Sequence, residues 1–266
     1  MKTLSLIPVL CAAMAMPALA ETPDSIARLE VLPGWRSDSG TQMAGLKIIL
    51  APGWKTYWRA PGDAGIPPLF DWTGSQNITN VAVHWPTPEV FDLSGMRTLG
   101  YHEGVVLPIE LSTVSSGEPI ELRGRIEMGV CEEICVPVSF DFTATLPATT
   151  KRDPQIVASL VDQPNSGADA GASRPVCVTD ATSDGLQITY SVTLPPQGGS
   201  ETVVIEAGDD RIWTSEAIVG RSGNQLTATA EMIQVDGKPF LLNRSAVRVT
   251  VFGASGAVEI QGCTGG

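Results

Sequence analysis

Two cysteines stand four positions apart in the run Gly129-Val130-Cys131-Glu132-Glu133-Ile134-Cys135-Val136-Pro137. A close thiol pair can do three kinds of chemistry. It can close a small structural disulfide, pass electrons by dithiol–disulfide exchange, or give two thiolates to a soft metal site. Backbone geometry limits the form a bond between them can take. Disulfides hold Cα atoms roughly 4.4–6.8 Å apart, whereas residues i and i+4 of a continuous strand lie about 13 Å apart at ~3.3 Å per residue. The chain must therefore turn between the two cysteines if they are joined. An alternating run ends at Met128-Gly129 and a new one begins at Val136-Pro137, which predicts a hairpin with the pair at its tip. A bridge closing so small a loop adds little stability, and an exposed one is of the labile type. Glu132 and Glu133 disfavour a nearby thiolate. That suits a pair that accepts electrons and passes them on better than it suits a strong oxidant.

The alternatives remain open on residues alone. The pair is either redox-active or a plain hairpin staple, or it binds copper or zinc together with His84, His102 or Met96. Neither histidine stands at a short metal-ligand spacing from the cysteines, so no metal ligand set is assigned. Other reaction classes find no foothold: the chain has two histidines, no Gly-x-Ser-x-Gly elbow, no phosphate loop and no His-x-x-x-His pair.

The start of the chain reads as an export signal. Lys2 precedes an apolar run from Leu4 to Met16, and Ala18-Leu19-Ala20 fits a small-x-small cleavage site. Residues 1–20 are thus expected to be removed, leaving a periplasmic protein. No later run approaches the ~20 apolar residues of a spanning helix. Cleavage takes Cys11 and leaves Cys131, Cys135, Cys177 and Cys263, an even set that favours two disulfides in an oxidising compartment. The simplest pairing is Cys131–Cys135 with Cys177–Cys263. The second bond would span residues 178–262 and act as a structural staple worth ~4–5 kcal/mol of loop closure. Against 17 basic residues stand 29 acidic ones, for a net charge of -12. That balance argues against nucleic acid or anionic membranes as partners.

The rest of the chain must position the pair, and it reads as strands. Leu29–Leu32, Gln42–Leu50, Val81–Trp85, Val105–Leu111, Ile120–Met128 and Val136–Ala144 are short apolar or β-branched segments between Gly, Pro, Asn and Asp clusters. Ile120, Leu122, Gly124, Ile126 and Met128 alternate with charged residues, so one face of that strand is expected to be buried. Asp153-Pro154 opens a short helix to Asp162, with Asp153 as N-cap. Gln163 to Pro175 is a small-residue stretch expected to be a flexible linker. Strand patterns then resume at Cys177–Val178, Leu186–Leu194, Glu201–Ala207, Ala217–Val219, Gln225–Met232 and Ala246–Phe252. The expected organisation is all-β: a redox domain over 21–149, a linker over 150–175 and a second, smaller β-sandwich domain over 176–266.

The ordered series Pro52-Gly53-Trp54-Lys55-Thr56-Tyr57-Trp58-Arg59-Ala60-Pro61-Gly62-Asp63-Ala64-Gly65-Ile66-Pro67-Pro68, Phe70-Asp71-Trp72, Trp85-Pro86-Thr87-Pro88, Gly100-Tyr101 and Cys131-Glu132-Glu133-Ile134-Cys135-Val136-Pro137 resembles the periplasmic N-terminal domain of the DsbD/ScsB family of thiol:disulfide interchange reductases. The resemblance covers roughly Leu29 to Leu146. It implies an immunoglobulin-like sandwich whose redox pair is Cys131 and Cys135, with Cys131 as the sulfur that is attacked. It implies a cap loop over the disulfide. Thr98-Leu99-Gly100-Tyr101-His102 matches that loop most nearly, with Tyr101 as the shield beside Leu99. Tyr57, Trp58 and Glu133 are expected near the same region, and Asp63 in a turn.

The resemblance further implies thioredoxin-like periplasmic partners. It also implies links to cytochrome c maturation or, through the ScsB branch, to copper tolerance. The exchange runs on sulfur and calls for no cofactor. Full-length reductases of this kind continue into a multi-helix membrane domain and a thioredoxin domain. This sequence reaches Gly266 without a Cys-x-x-Cys motif, so a separate CcdA-like membrane donor is expected. A copper-binding module, or a structural protein-interaction module without redox turnover, is the alternative.

Overall fold

Alternating burial builds two stacked-sheet units. The computed structural model describes residues 23–93 and 96–266; the expected export signal lies outside the described residues. Among the described residues the first unit opens with one helical turn, α1 (Pro23–Ile26), and holds ten strands. These are β1 (Ala27–Arg36), β2 (Gln42–Leu50), β3 (Lys55–Tyr57), β4 (Leu69–Asp71) and β5 (Ile78–Val83), then β6 (Glu89–Leu93), β7 (Met96–His102), β8 (Gly104–Thr113), β9 (Ile120–Cys131) and β10 (Cys135–Leu146). One sheet has the order β1-β2-β8-β5. The other has the order β10-β9-β3-β7-β6, with β4 also pairing β9. Their facing apolar rows form one core that includes Leu46, Ile48, Leu107, Ile109, Ile126 and Val130. The all-β immunoglobulin-like expectation holds.

The helix α2 (Pro154–Val161) follows, for local reasons. Asp153 caps it by accepting from the Gln155 and Ile156 amides, and Pro154 fills the first turn, where no amide is needed. Its one buried residue, Ile156, lies against Gly45 of β2, so close that a Cβ there would stand 3.0 Å from it.

The second unit contains β11 (Asn165–Ser166), β12 (Ser173–Ala181), β13 (Leu186–Thr193), β14 (Thr202–Glu206) and β15 (Ile212–Thr214). It continues with β16 (Ile218–Ser222), β17 (Gln225–Gln234), β18 (Arg248–Gly253), β19 (Gly256–Gln261) and β20 (Thr264–Gly265). Its sheets run β11-β19-β18-β14 and β15-β17-β13-β12-β20, with β16 also on β17. Part of the stretch read as a flexible linker is ladder-bonded instead. Asn165 and Ser166 pair with Val258 and Glu259, and Ser173 pairs with Thr193. A Ser166–Asp169 side-chain bond and the Ala172 N–H to Gly167 carbonyl bond fold the intervening residues into a turn. Small polar residues thus served as turn formers rather than as a loose tether.

Candidate functional site

The hairpin of β9 and β10 sets Cys131 directly opposite Cys135. Glu132, Glu133 and Ile134 make the turn, with the Glu132 amide bonded to the Ile134 carbonyl. The spacer of three residues is what allows the facing pair. The two Cα atoms are 4.1 Å apart and the sulfurs are bonded. The bond is asymmetric: Cys131 is 2% exposed, whereas Cys135 is an exposed residue. Accessibility therefore favours Cys135 over Cys131, the reverse of the expectation drawn from the family resemblance.

Strand register decides which neighbours reach the sulfurs. Lys55 faces both Cys131 and His102, and Tyr57 faces Gly100. Side chains alternate along a strand, so Lys55, Tyr57, Gly100, His102 and Cys131 share one face. Thr56, Leu99, Tyr101 and Val130 share the other. The Tyr57 hydroxyl donates to Cys131 Sγ at 3.1 Å and lies 3.4 Å from Cys135 Sγ. Tyr57 is itself 3% exposed, and burial pushes its phenol up from the usual value, so it remains a proton carrier at neutral pH. Gly100 is required beside it, because a side chain there would run into the Thr56 carbonyl. Ile66 and the Tyr57 ring meet over Gly129, close enough that a side chain at Gly129 would touch both. The segment after β3 thus covers the hairpin beside Cys131.

Tyr101 and Leu99 point the other way. The Tyr101 hydroxyl donates to the Pro86 carbonyl at 2.8 Å. Both residues pack with Trp58, Phe252 and Ala257. Burial raises the Tyr101 phenol well above its ordinary value, with Arg59 pulling in the opposite direction. Glu133 stands exposed in the turn, while the Glu132 carboxylate lies against Gly53.

Phe91 escaped sequence reasoning. It contacts the His102 ring edge-on at 4.5 Å, and Lys55 Nζ sits 4.8 Å from its ring centre. Lys55 is the cross-strand neighbour of Cys131, so Phe91 belongs to the disulfide face. The signal that could have found it is alternation through Glu89–Leu93, which puts Phe91 on the face of its partner Thr98 and hence of His102.

Cys177 and Cys263 form the other bond, with Cys177 wholly buried in the second core and Cys263 packed against it. Among the described residues no group of three or more His, Cys, Asp or Glu gathers to hold a metal ion.

Residues 24–147 match the model of the N-terminal domain of the thiol:disulfide interchange protein DsbD. Residues 24–147 form a DsbD-type N-terminal domain. The likeness of fold extends further along the chain. The crystal structure of the N-terminal periplasmic domain of ScsB from Proteus mirabilis is similar at a TM-score of 0.67 and 24% identity, over 92% of this chain and 96% of that one. Both sandwiches therefore belong to the shared architecture. No curated protein matches the chain. Among the described residues, no helix is long and apolar enough to cross a membrane.

Proposed function

We propose that this DsbD-type chain is a periplasmic thiol:disulfide interchange protein whose Cys131–Cys135 pair takes electrons from one thiol protein and delivers them to another. Family membership of residues 24–147 supports the interchange role. The observation that carries the exchange mechanism is the asymmetry of the pair: Cys135 is an exposed residue and Cys131 a buried one, with the Tyr57 hydroxyl 3.1 Å from the Cys131 sulfur.

The exchange is written as two displacements. A donor thiolate attacks Cys135 Sγ, forming a donor–Cys135 disulfide. The Cys131–Cys135 bond breaks, and its electron pair leaves on Cys131 Sγ as a thiolate. The Tyr57 hydroxyl, already aimed at that atom, donates a hydrogen bond to the new charge. Such charge-assisted bonds are the stronger kind. The donor's second thiolate then attacks its own sulfur in the mixed bond, leaves as a disulfide and releases Cys135 as thiolate. Two protons complete the dithiol. The reduced pair delivers electrons by the reverse sequence, with Cys135 attacking a partner's disulfide and Cys131 resolving the adduct.

The donors and acceptors fitting this chemistry are thioredoxin-like periplasmic proteins, with a CcdA-like membrane protein as the source of electrons. Cytochrome c maturation and copper tolerance are the processes such a relay would serve. Cys177–Cys263, with Cys177 wholly buried and a long loop closed, is the staple of the second sandwich.

The test is an equilibrium titration of the oxidised protein against a thioredoxin-like reductant, with each cysteine pair followed by alkylation and mass mapping. The reading expects Cys131–Cys135 to reduce at a potential above about -300 mV, while the other pair stays closed. A potential below that value for Cys131–Cys135 would leave it an inert staple and overturn the proposal.

A further inference from the structure

Three consecutive residues connect the disulfide to the second sandwich. Tyr57 touches both sulfurs. Trp58 is wholly buried and meets the Phe252 ring edge-on, with centroids 5.5 Å apart. Arg59 folds its guanidinium over the Trp58 ring at 4.0 Å. It donates Nε to both carboxylate oxygens of Glu206 at 3.0 and 3.2 Å, and Nη2 to Glu206 at 3.0 Å and to Glu259 at 2.6 Å. Glu206 belongs to β14 and Glu259 to β19, so the second sandwich grips a cation from the first. The Arg59 side chain is only 13% exposed. Burial opposes its charge, but the two carboxylates outweigh burial and hold the guanidinium above its ordinary pKa.

β3 is paired with β7 along its whole length and with β9 through Lys55 and Thr56, and it ends at Tyr57. Beyond it Trp58 N–H donates to the Leu99 carbonyl and Leu99 N–H to the Pro61 carbonyl, both at 3.0 Å. A hydrogen bond weakens steeply once its angle is lost, so the aim of the Tyr57 hydroxyl depends on where Trp58 and Arg59 anchor the chain that leaves β3. We infer that Arg59 is a positioning residue: by gripping it through Glu206 and Glu259, the second sandwich holds Tyr57 against the sulfur that leaves as thiolate. This gives the second sandwich a part in the exchange beyond carrying its own staple. It rests on the reading that Tyr57 assists departure of Cys131.

The test is a double-mutant cycle on the full mature chain. The rate of reduction of Cys131–Cys135 by dithiothreitol is read from acid-quenched, alkylated samples by mass spectrometry. Tyr57→Phe is expected to slow reduction about tenfold and Arg59→Met about threefold, while the double variant stays within about twofold of Tyr57→Phe, since contacts in one chain of action are non-additive. Arg59→Lys, which keeps the charge, should recover part of the rate. Glu206→Gln with Glu259→Gln should repeat the effect of Arg59→Met from the other sandwich, and serves in its place if Arg59→Met fails to fold. Full multiplication of the two effects in the double variant overturns the inference. So does an Arg59→Met protein that melts earlier yet is reduced at the wild-type rate. A wild-type rate for Tyr57→Phe sinks the underlying reading of Tyr57 itself, and is told apart by that single variant.

Discussion

Removing each disulfide in turn should have very different costs. The perturbation is Cys177→Ala with Cys263→Ala on one hand, and Cys131→Ala with Cys135→Ala on the other. Alanine avoids placing an unpaired hydroxyl in the second core, where Cys177 is wholly buried. The sequence separations are 86 and 4 residues. In the loop-closure model the entropy removed from the unfolded chain grows with the logarithm of loop length, which gives about 4.6 kcal/mol for the longer loop and about 1.9 kcal/mol for the shorter. The gap of about 2.7 kcal/mol is well above the error of a denaturation midpoint. For a unit of this size each kcal/mol moves the melting temperature by roughly 4–8 °C, so the second sandwich should melt at least roughly 18 °C earlier without its bond. Urea unfolding, followed separately for the two sandwiches by hydrogen exchange, reads both numbers. Equal costs, or a larger cost for the hairpin pair, would refute the division into a staple and an exchangeable bond.

Other outcomes follow from the same packing. Gly100→Ala drives a methyl group into the Thr56 carbonyl and should cost about 2 kcal/mol by overpacking; calorimetry checks it, along with faster alkylation of reduced Cys131 as Tyr57 is displaced. Ile156→Ala removes the one buried residue of α2 and should cost about 3 kcal/mol, within the range for emptied core sites, with the loss seen as early exchange of α2 amides. The chain's three tyrosines, Tyr57, Tyr101 and Tyr190, are all raised by burial. A raised folded pKa means the native state keeps protons that the unfolded state releases. Stability should therefore be unaffected by these groups below pH 10.0, their ordinary value, and fall as pH rises beyond it. Phenolate absorbance of the folded protein should appear above the ordinary tyrosine range; a reversible titration near pH 10 in the folded protein would contradict the burial assigned to these rings.

The hairpin, its cysteine pair and the alternating row from Ile120 to Met128 were legible because their signals are local. A two-residue period needs only its own segment, and a three-residue spacer fixes its own turn. Gln42–Leu50 was read with its observed bounds for the same reason. The three-residue strands β3 and β4 were not legible. Three residues such as Lys55-Thr56-Tyr57 give no periodic signal, and their strand character comes from partners distant in sequence. That gap carried over to the site. Without the register of β3 against β7, Tyr101 is the expected shield and Tyr57 only its neighbour, although alternation sends the two to opposite faces. The relative exposure of the two cysteines was equally hidden, because Tyr57, which touches Cys131, comes from a strand distant in sequence. Nor could the grip of Glu206 and Glu259 on Arg59 be read, since it spans some 147 and 200 positions of chain.

The most direct measurement is the identity of the sulfur that a partner captures. Oxidised protein is mixed with a thioredoxin-like protein retaining only its attacking cysteine, quenched in acid, digested without reduction and mapped by mass spectrometry. A mixed disulfide on Cys135 is expected, with Cys131 recovered as a free thiol and Cys177–Cys263 intact. An adduct on Cys131, or none while the partner remains active on a model disulfide, would contradict it.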